Sequence, residues 1–181
     1  FAAVVTLLDQ LNLSIQDARL YSSSGDFTND TYFVLNENLE PIGNDDERRN
    51  IIWQTLHDEL AHNINNFPSI AQRRTAREMK HFTMPTRTSM VNDINSGTTV
   101  LEVISPDRPG LLARIARVFV EFGIRLHNAK ITTLGERVED VFFITDQDGK
   151  PLSDPAFCAS LQSVICEQLD KQVAKTSAPA M

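Results

Sequence analysis

The chain has 181 residues, 41% of them apolar and 23% charged, with a formal charge of −7. That balance belongs to an ordinary globular protein and excludes a disordered or collagen-like chain. It also argues against a broad nucleic-acid-binding surface, and no apolar run nears the roughly 18 residues that cross a bilayer.

In chain order, Phe1, Val4, Val5 and Leu8 recur at helical spacing, and Leu11, Leu13, Ile15 and Ala18 lead into a strand. Gly25 marks a turn, and Tyr32-Phe33-Val34 lies in a second strand that ends before Pro41. A helix follows through Ile52, Trp53, Leu56, Leu60 and Ile64. Residues 67–97 read as a connecting segment containing Pro68 and Pro85. Within it Arg73, Arg74, Arg77, Lys80 and Arg87 stand against Glu78 alone, a basic strip read as a solvated face. Phe82 to Val91 is mildly strand-like and fits a fourth strand for the preceding unit, kept to an edge by Pro85.

Thr99 to Ser105 is a β-branched, buried strand, and Asp107-Arg108-Pro109-Gly110 turns the chain into a helix. Leu111, Leu112, Ile115, Val118, Phe119 and Phe122 form its apolar stripe, and Gly123 stops it. Ile124 to Thr133 is a second strand, Gly135-Glu136-Arg137 a turn, and Val138 to Thr145 a third strand. Ser153-Asp154-Pro155 caps and opens a last helix, which buries Phe157, Leu161, Val164, Ile165 and Leu169. Cys158 and Cys166 lie on this helix; two cysteines are too few for a disulfide framework and suit a reducing, cytoplasmic setting.

These elements repeat. With Phe1 placed under Leu112, Val4, Val5 and Leu8 fall under Ile115, Ala116 and Phe119, and Arg19 under Lys130. One deletion later Gly25 meets Gly135, Tyr32-Phe33-Val34 meets Phe142-Phe143-Ile144, and Pro41 meets Pro151. The fold class is therefore α+β, with two ferredoxin-like βαββαβ units, the first lacking its opening strand and loop. The units are assigned as 1–66, N-terminally truncated, and 98–181, with 67–97 as a linker that has the potential to supply a strand. Val173-Ala174 is too short for the second unit's fourth strand, which is expected to be absent or borrowed. A first unit that opens inside a helix implies a C-terminal piece of something longer. Its open sheet edge leaves a homodimer possible.

No P-loop, dinucleotide fingerprint, HExxH or serine-nucleophile motif occurs, so no catalytic residue and no metal site is assigned. His127 reads as a satisfied structural histidine, and Glu136, Glu139 and Asp140 as exposed charges at a turn. RNA-stacking aromatics are missing from the first strand, and a copper-binding CxxC is absent. What remains is Ser105 to Leu112, SPDRPGLL. A helix start offers free backbone N–H groups and a positive dipole end to an anion. Asp107 is placed either to cap the helix or to accept an ammonium group. The pair of charges suits both ends of an amino acid.

The strand, DRPGLL, the helix ending in FGI and the third strand together resemble an ACT domain, the ligand-binding regulatory module of amino-acid metabolism. The runs HNAKITTLGERVEDVFFITD (127–146) and KHFTMPT (80–86) carry the likeness further. They resemble the C-terminal tandem ACT region of a family of bifunctional enzymes that transfer UMP to, and remove it from, the PII nitrogen-signalling protein. The resemblance implies a glutamine-sensing region that switches those two activities. Its partners would be PII and the parent's own catalytic domains. Both activities and their Mg2+ would belong to those catalytic domains, with no cofactor in this chain. Carried over by position, the amino-acid site would comprise Asp107, Arg108, Pro109, Gly110 and Leu111, faced by Arg125, Asn128 and Lys130. Ser14, Asp17 and Arg19 would be the remnants of an equivalent site in the first unit. Alternatives are an ACT tandem that serves as a protein-interaction surface without ligand, and the sensor of another amino-acid-controlled enzyme.

Overall fold

A computed structural model of the chain describes residues 1–22, 28–62 and 84–176. Gly25, Ile64, Pro68, Phe82 and the basic strip apart from Arg87 lie outside those residues. The first half contributes α1 (Ala2–Gln10), β1 (Ser14–Ser22), β2 (Thr28–Leu35) and α2 (Asp46–His62). The second contributes β3 (Arg87–Asp93), β4 (Thr98–Pro106), α3 (Leu111–Glu121), β5 (Arg125–Lys130), β6 (Thr133–Leu134), β7 (Arg137–Thr145) and α4 (Pro155–Thr176).

The repeat is visible in the backbone. Helix, two antiparallel strands and helix occur twice, as α1-β1-β2-α2 and as α3-β5-β7-α4. Even the irregularities match. The β1–β2 ladder shifts register between Ile15 and Asp17, and the β5–β7 ladder shifts between Leu126 and Asn128, the positions that the sequence alignment equates. In the second half the extra residue is His127, whose Nε2 lies 2.8 Å from Thr145 Oγ1, a structural role.

The second sheet runs β3-β4-β7-β5, with β6 paired to β7. All its ladders are antiparallel. Its fourth strand is β3, so the segment expected to complete the first unit serves the second one. The reason is local: Asp93 ties a short turn by accepting from Asn95 N (3.0 Å) and Ser96 Oγ (2.7 Å), and Gly97 at φ +64° closes it. Those same hydrogen bonds hold the Asp93 carboxyl below the usual carboxylate range. A strand joined by so short a hairpin has its pairing partner chosen for it. The predicted strand Ile124 to Thr133 is also shorter than expected. It breaks after Lys130, where Thr132 N–H turns to the Asp140 side chain.

One face of this sheet builds the main core. Leu101 and Val103 of β4 and Phe142 and Ile144 of β7 are wholly buried under Leu111, Ile115, Val118 and Phe119 of α3 and Leu161 and Ile165 of α4. Phe119 meets Phe142 edge to face at 5.3 Å. Ala18 and Leu20 of β1 join the same core, because β1 runs alongside β5. Above the sheets α1 lies beside α3, with Val5 packed on Ala113 and Ala116. No helix among the described residues is long and apolar enough to cross a membrane.

Polar contacts fasten α4 to the edge strand. Thr86 N and Oγ1 both donate to Asp170 Oδ1, at 3.2 and 2.7 Å, and Ser105 Oγ lies 3.0 Å from Thr86 Oγ1. Thr86 and Ser105 are buried, so losing the acceptor strands two donors away from water. Asp170→Ala should lower stability by about 1–3 kcal/mol in urea unfolding. An unchanged midpoint would mean that the contact holds nothing.

Candidate functional site

Between the two halves lies an open cleft of about 910 Å³. One wall is the β4–α3 loop and the start of α3, Asp107 to Ala113; the other is the end of α1 with Asn12, Leu13, Ser14 and Ile15. The turn Asn36–Leu39 rims it, and Ile131, Thr133, Val138 and Asp140 also line it. The predicted loop residues Asp107, Arg108, Pro109, Gly110 and Leu111 therefore come together here. Arg125, Asn128 and Lys130 are not among the described lining residues. Arg125 and Lys130 are exposed on β5, and Asn128 is half-buried opposite Phe143. Of the first unit's remnants only Ser14 reaches the cleft, while Asp17 Oδ2 accepts from Arg19 Nε at 3.1 Å.

Gly110 is the N-cap of α3 and sits at φ +75°, a left-handed conformation that a side chain makes costly. The turn thus requires glycine for its backbone, beyond any need to leave space for a ligand. No side chain caps the helix, and its first turn contains no acidic residue. Leu111 N donates to Arg108 O at 3.2 Å. The amides of Leu112 and Ala113 have no carbonyl one turn behind them within the helix, and both residues line the cleft. Asp107 does not cap them; its own N–H is held by Glu136 O at 2.8 Å.

The charged residues lining the cleft are Asp9, Glu37, Asp107, Arg108 and Asp140. Arg108 is drawn toward α4, where Nη1 donates to Leu169 O at 3.2 Å. Asp107 stands exposed at the mouth, yet the protein around its carboxyl raises it above the ordinary range, opposed by the Arg108 N–H. Asp140 is 0% exposed, the opposite of the exposed turn charge that its sequence neighbourhood suggested. The strand period explains the difference. Val138, Asp140, Phe142 and Ile144 share the buried face of β7, while Glu139, on the other face, pairs with Arg137.

Burial pushes the Asp140 carboxyl up to about 7; the Thr132 N–H opposes this and the neighbouring Asp107 charge adds to it. Asp140 was legible from alternation along RVEDVFFIT, had its parity been weighed against its charge. The α1 residues Val5 and Asp9 carried no such signal, because they reach the cleft only through packing between the halves.

Comparison with known proteins places this geometry in context. Residues 99–154 match the ACT domain. The chain is 50% identical to a bifunctional uridylyltransferase/uridylyl-removing enzyme of Pseudomonas putida (strain W619), over 99% of its own length and 20% of that protein's. Proteins of the same name give 53% identity over 93% of the chain in Pseudomonas fluorescens and 48% over 99% in Stutzerimonas stutzeri. Their covered shares are 19% and 20% respectively, so the chain spans about a fifth of the length of these relatives. No solved structure matches the chain.

The raised Asp140 carboxyl makes a stability prediction whose sign is fixed. The unfolded chain loses this proton near the ordinary value of 3.8, whereas the folded chain keeps it to about 7. Stability from this group is therefore full at low pH and is lost as pH rises from about 4 to about 7. Asp140→Asn lacks that loss, so its urea-unfolding midpoint should gain on the wild type across this interval and run parallel above it. Curves parallel throughout would remove the shifted carboxyl.

Proposed function

We propose that the chain is the amino-acid-sensing region of a bifunctional uridylyltransferase/uridylyl-removing enzyme, with glutamine as ligand; residues 99–154 match the ACT domain, and the whole chain closely resembles one region of such enzymes. The observation that carries this reading is the complementarity of the cleft. Uncapped amides at the start of α3 suit a carboxylate, and the Asp107 carboxylate suits an ammonium group. A free α-amino acid carries both.

Sensing in this reading is linkage between the two halves. The cleft takes one wall from each, so a ligand that touches both favours the arrangement in which they are close. In the parent, that arrangement would favour removal of UMP from PII when glutamine is abundant, and its loss would favour UMP transfer when glutamine is scarce. PII and the parent's catalytic domains are the partners. Both reactions, with their Mg2+, belong to those domains and not to this chain. A tenfold bias needs about 1.4 kcal/mol of differential affinity. One or two charge-assisted hydrogen bonds suffice.

Calorimetric titration with glutamine, glutamate and serine tests the reading. Glutamine should bind best, and Asp107→Ala should weaken it roughly 10-fold or more, the loss of one hydrogen bond to a charged group. No heat from any of the three would point to a ligand-free interaction module.

A further inference from the structure

One oxygen in the cleft has no role in the scheme above. Asp140 stands on β7 opposite Val103 of β4, with none of its surface exposed. Its Oδ1 accepts the Thr132 N–H at 3.1 Å, but its Oδ2 has no hydrogen-bond partner among the described residues, although the residue lines the cleft. Native interiors seldom leave a carboxylate oxygen in that state.

The charges around it do not neutralise it. Asp9 from α1, Glu37 from the turn after β2 and Asp107 from the β4–α3 loop are acidic, and Arg108 reaches toward α4. On β7 itself Arg137 is occupied by Glu139. Among the described residues, acidic groups lining the cleft therefore outnumber its one basic group. Among the described residues no group of His, Cys, Asp and Glu is arranged to hold a metal. A cation that brings its own N–H donors fits instead.

We propose that Asp107 and Asp140 together form a subsite for the primary ammonium group of the bound amino acid, with Asp140 as its buried positioning member. This deepens the amino-acid reading and rests on it. Asp140 holds a proton near neutrality because burial and Asp107 both disfavour its charge. An ammonium arriving at Asp107 reverses that balance. The Asp140 O–H bond then breaks, its electrons stay on the carboxylate, the proton passes to the buffer, and the ammonium keeps its three hydrogens. Binding at pH 6 thus releases up to about one proton per ligand, and affinity rises about tenfold between pH 6 and pH 8.

The test is calorimetry of the chain with glutamine at both pH values, in two buffers of different ionisation heat, for wild type and Asp140→Asn. The asparagine keeps an oxygen for Thr132 N–H, so a purely structural role leaves the pH profile unmoved. A parallel titration uses 4-aminobutanamide, which is glutamine without its carboxylate. The ¹³C signal of the Asp140 carboxyl in the wild type follows its titration directly and serves even where the variant fails to fold. The expected results are a buffer-dependent heat and a pH slope in wild type only, and a lower Asp140 titration midpoint with either ligand. Glutamine bound without proton release, and equally by the variant, overturns the ammonium subsite and leaves the amino-acid reading standing. Failure of glutamine to bind while 4-aminobutanamide still lowers the midpoint overturns the amino-acid reading and keeps the cation subsite. If neither ligand has any effect, both fall.

Discussion

The two halves of the chain meet through small side chains. Ala18 on β1, Ala129 on β5, and Ala113 and Ala116 on α3 are all 2% or less exposed, and each lies in the packing that joins the halves. Because these residues project little beyond the backbone, β1 comes alongside β5 and α1 alongside α3, with Phe1, Ile15, Tyr32 and Leu112 packed around the alanines of α3. Larger residues there would force strain or separation, since a packed interior does not absorb added volume. The cleft exists only because this close junction stops short at one end, where the end of α1 and the start of α3 face each other.

That origin explains the chemistry of the cleft. Neither wall is a complete site. The α3 side brings unspent amide hydrogens and the positive end of a helix, while acidic groups come from both halves. In the proposed reading, a small zwitterion bridging these features would read the distance between the halves.

Much of the fold was legible in the sequence because it rests on local signals. The helix stripe from Leu111 to Phe119, the Gly123 stop and the Asp154–Pro155 helix start are written in consecutive residues, and Asp154 Oδ1 indeed accepts Ala156 N–H at 2.9 Å. The repeat was legible for the same reason, and the structure adds a register shift at matching positions, after Ile15 and after Leu126. The partner of β3 was not, because strand pattern gives a strand without naming its neighbour. In the candidate site the loop Asp107 to Leu111 stood out through its glycine and proline. Arg125, Asn128 and Lys130 were placed by analogy with a facing strand, whereas β5 turns its edge to β1 and the cleft opens elsewhere. Asp140 was hidden by its own charge, which suggested exposure where the strand period dictated burial.

The hairpin that carries β3 also shapes how the second half is made. A ferredoxin-like unit that closes its sheet with a strand after the last helix must wait for the whole chain, and must close a long loop to do it. Here the edge strand precedes β4 and is joined to it by a few residues, so its pairing is among the most local contacts in the domain and costs little loop entropy. During synthesis from the N-terminus it emerges first, already able to shield one side of β4 before α3 exists. The nascent sheet grows outward from a covered border, with less exposed strand available for association with other chains.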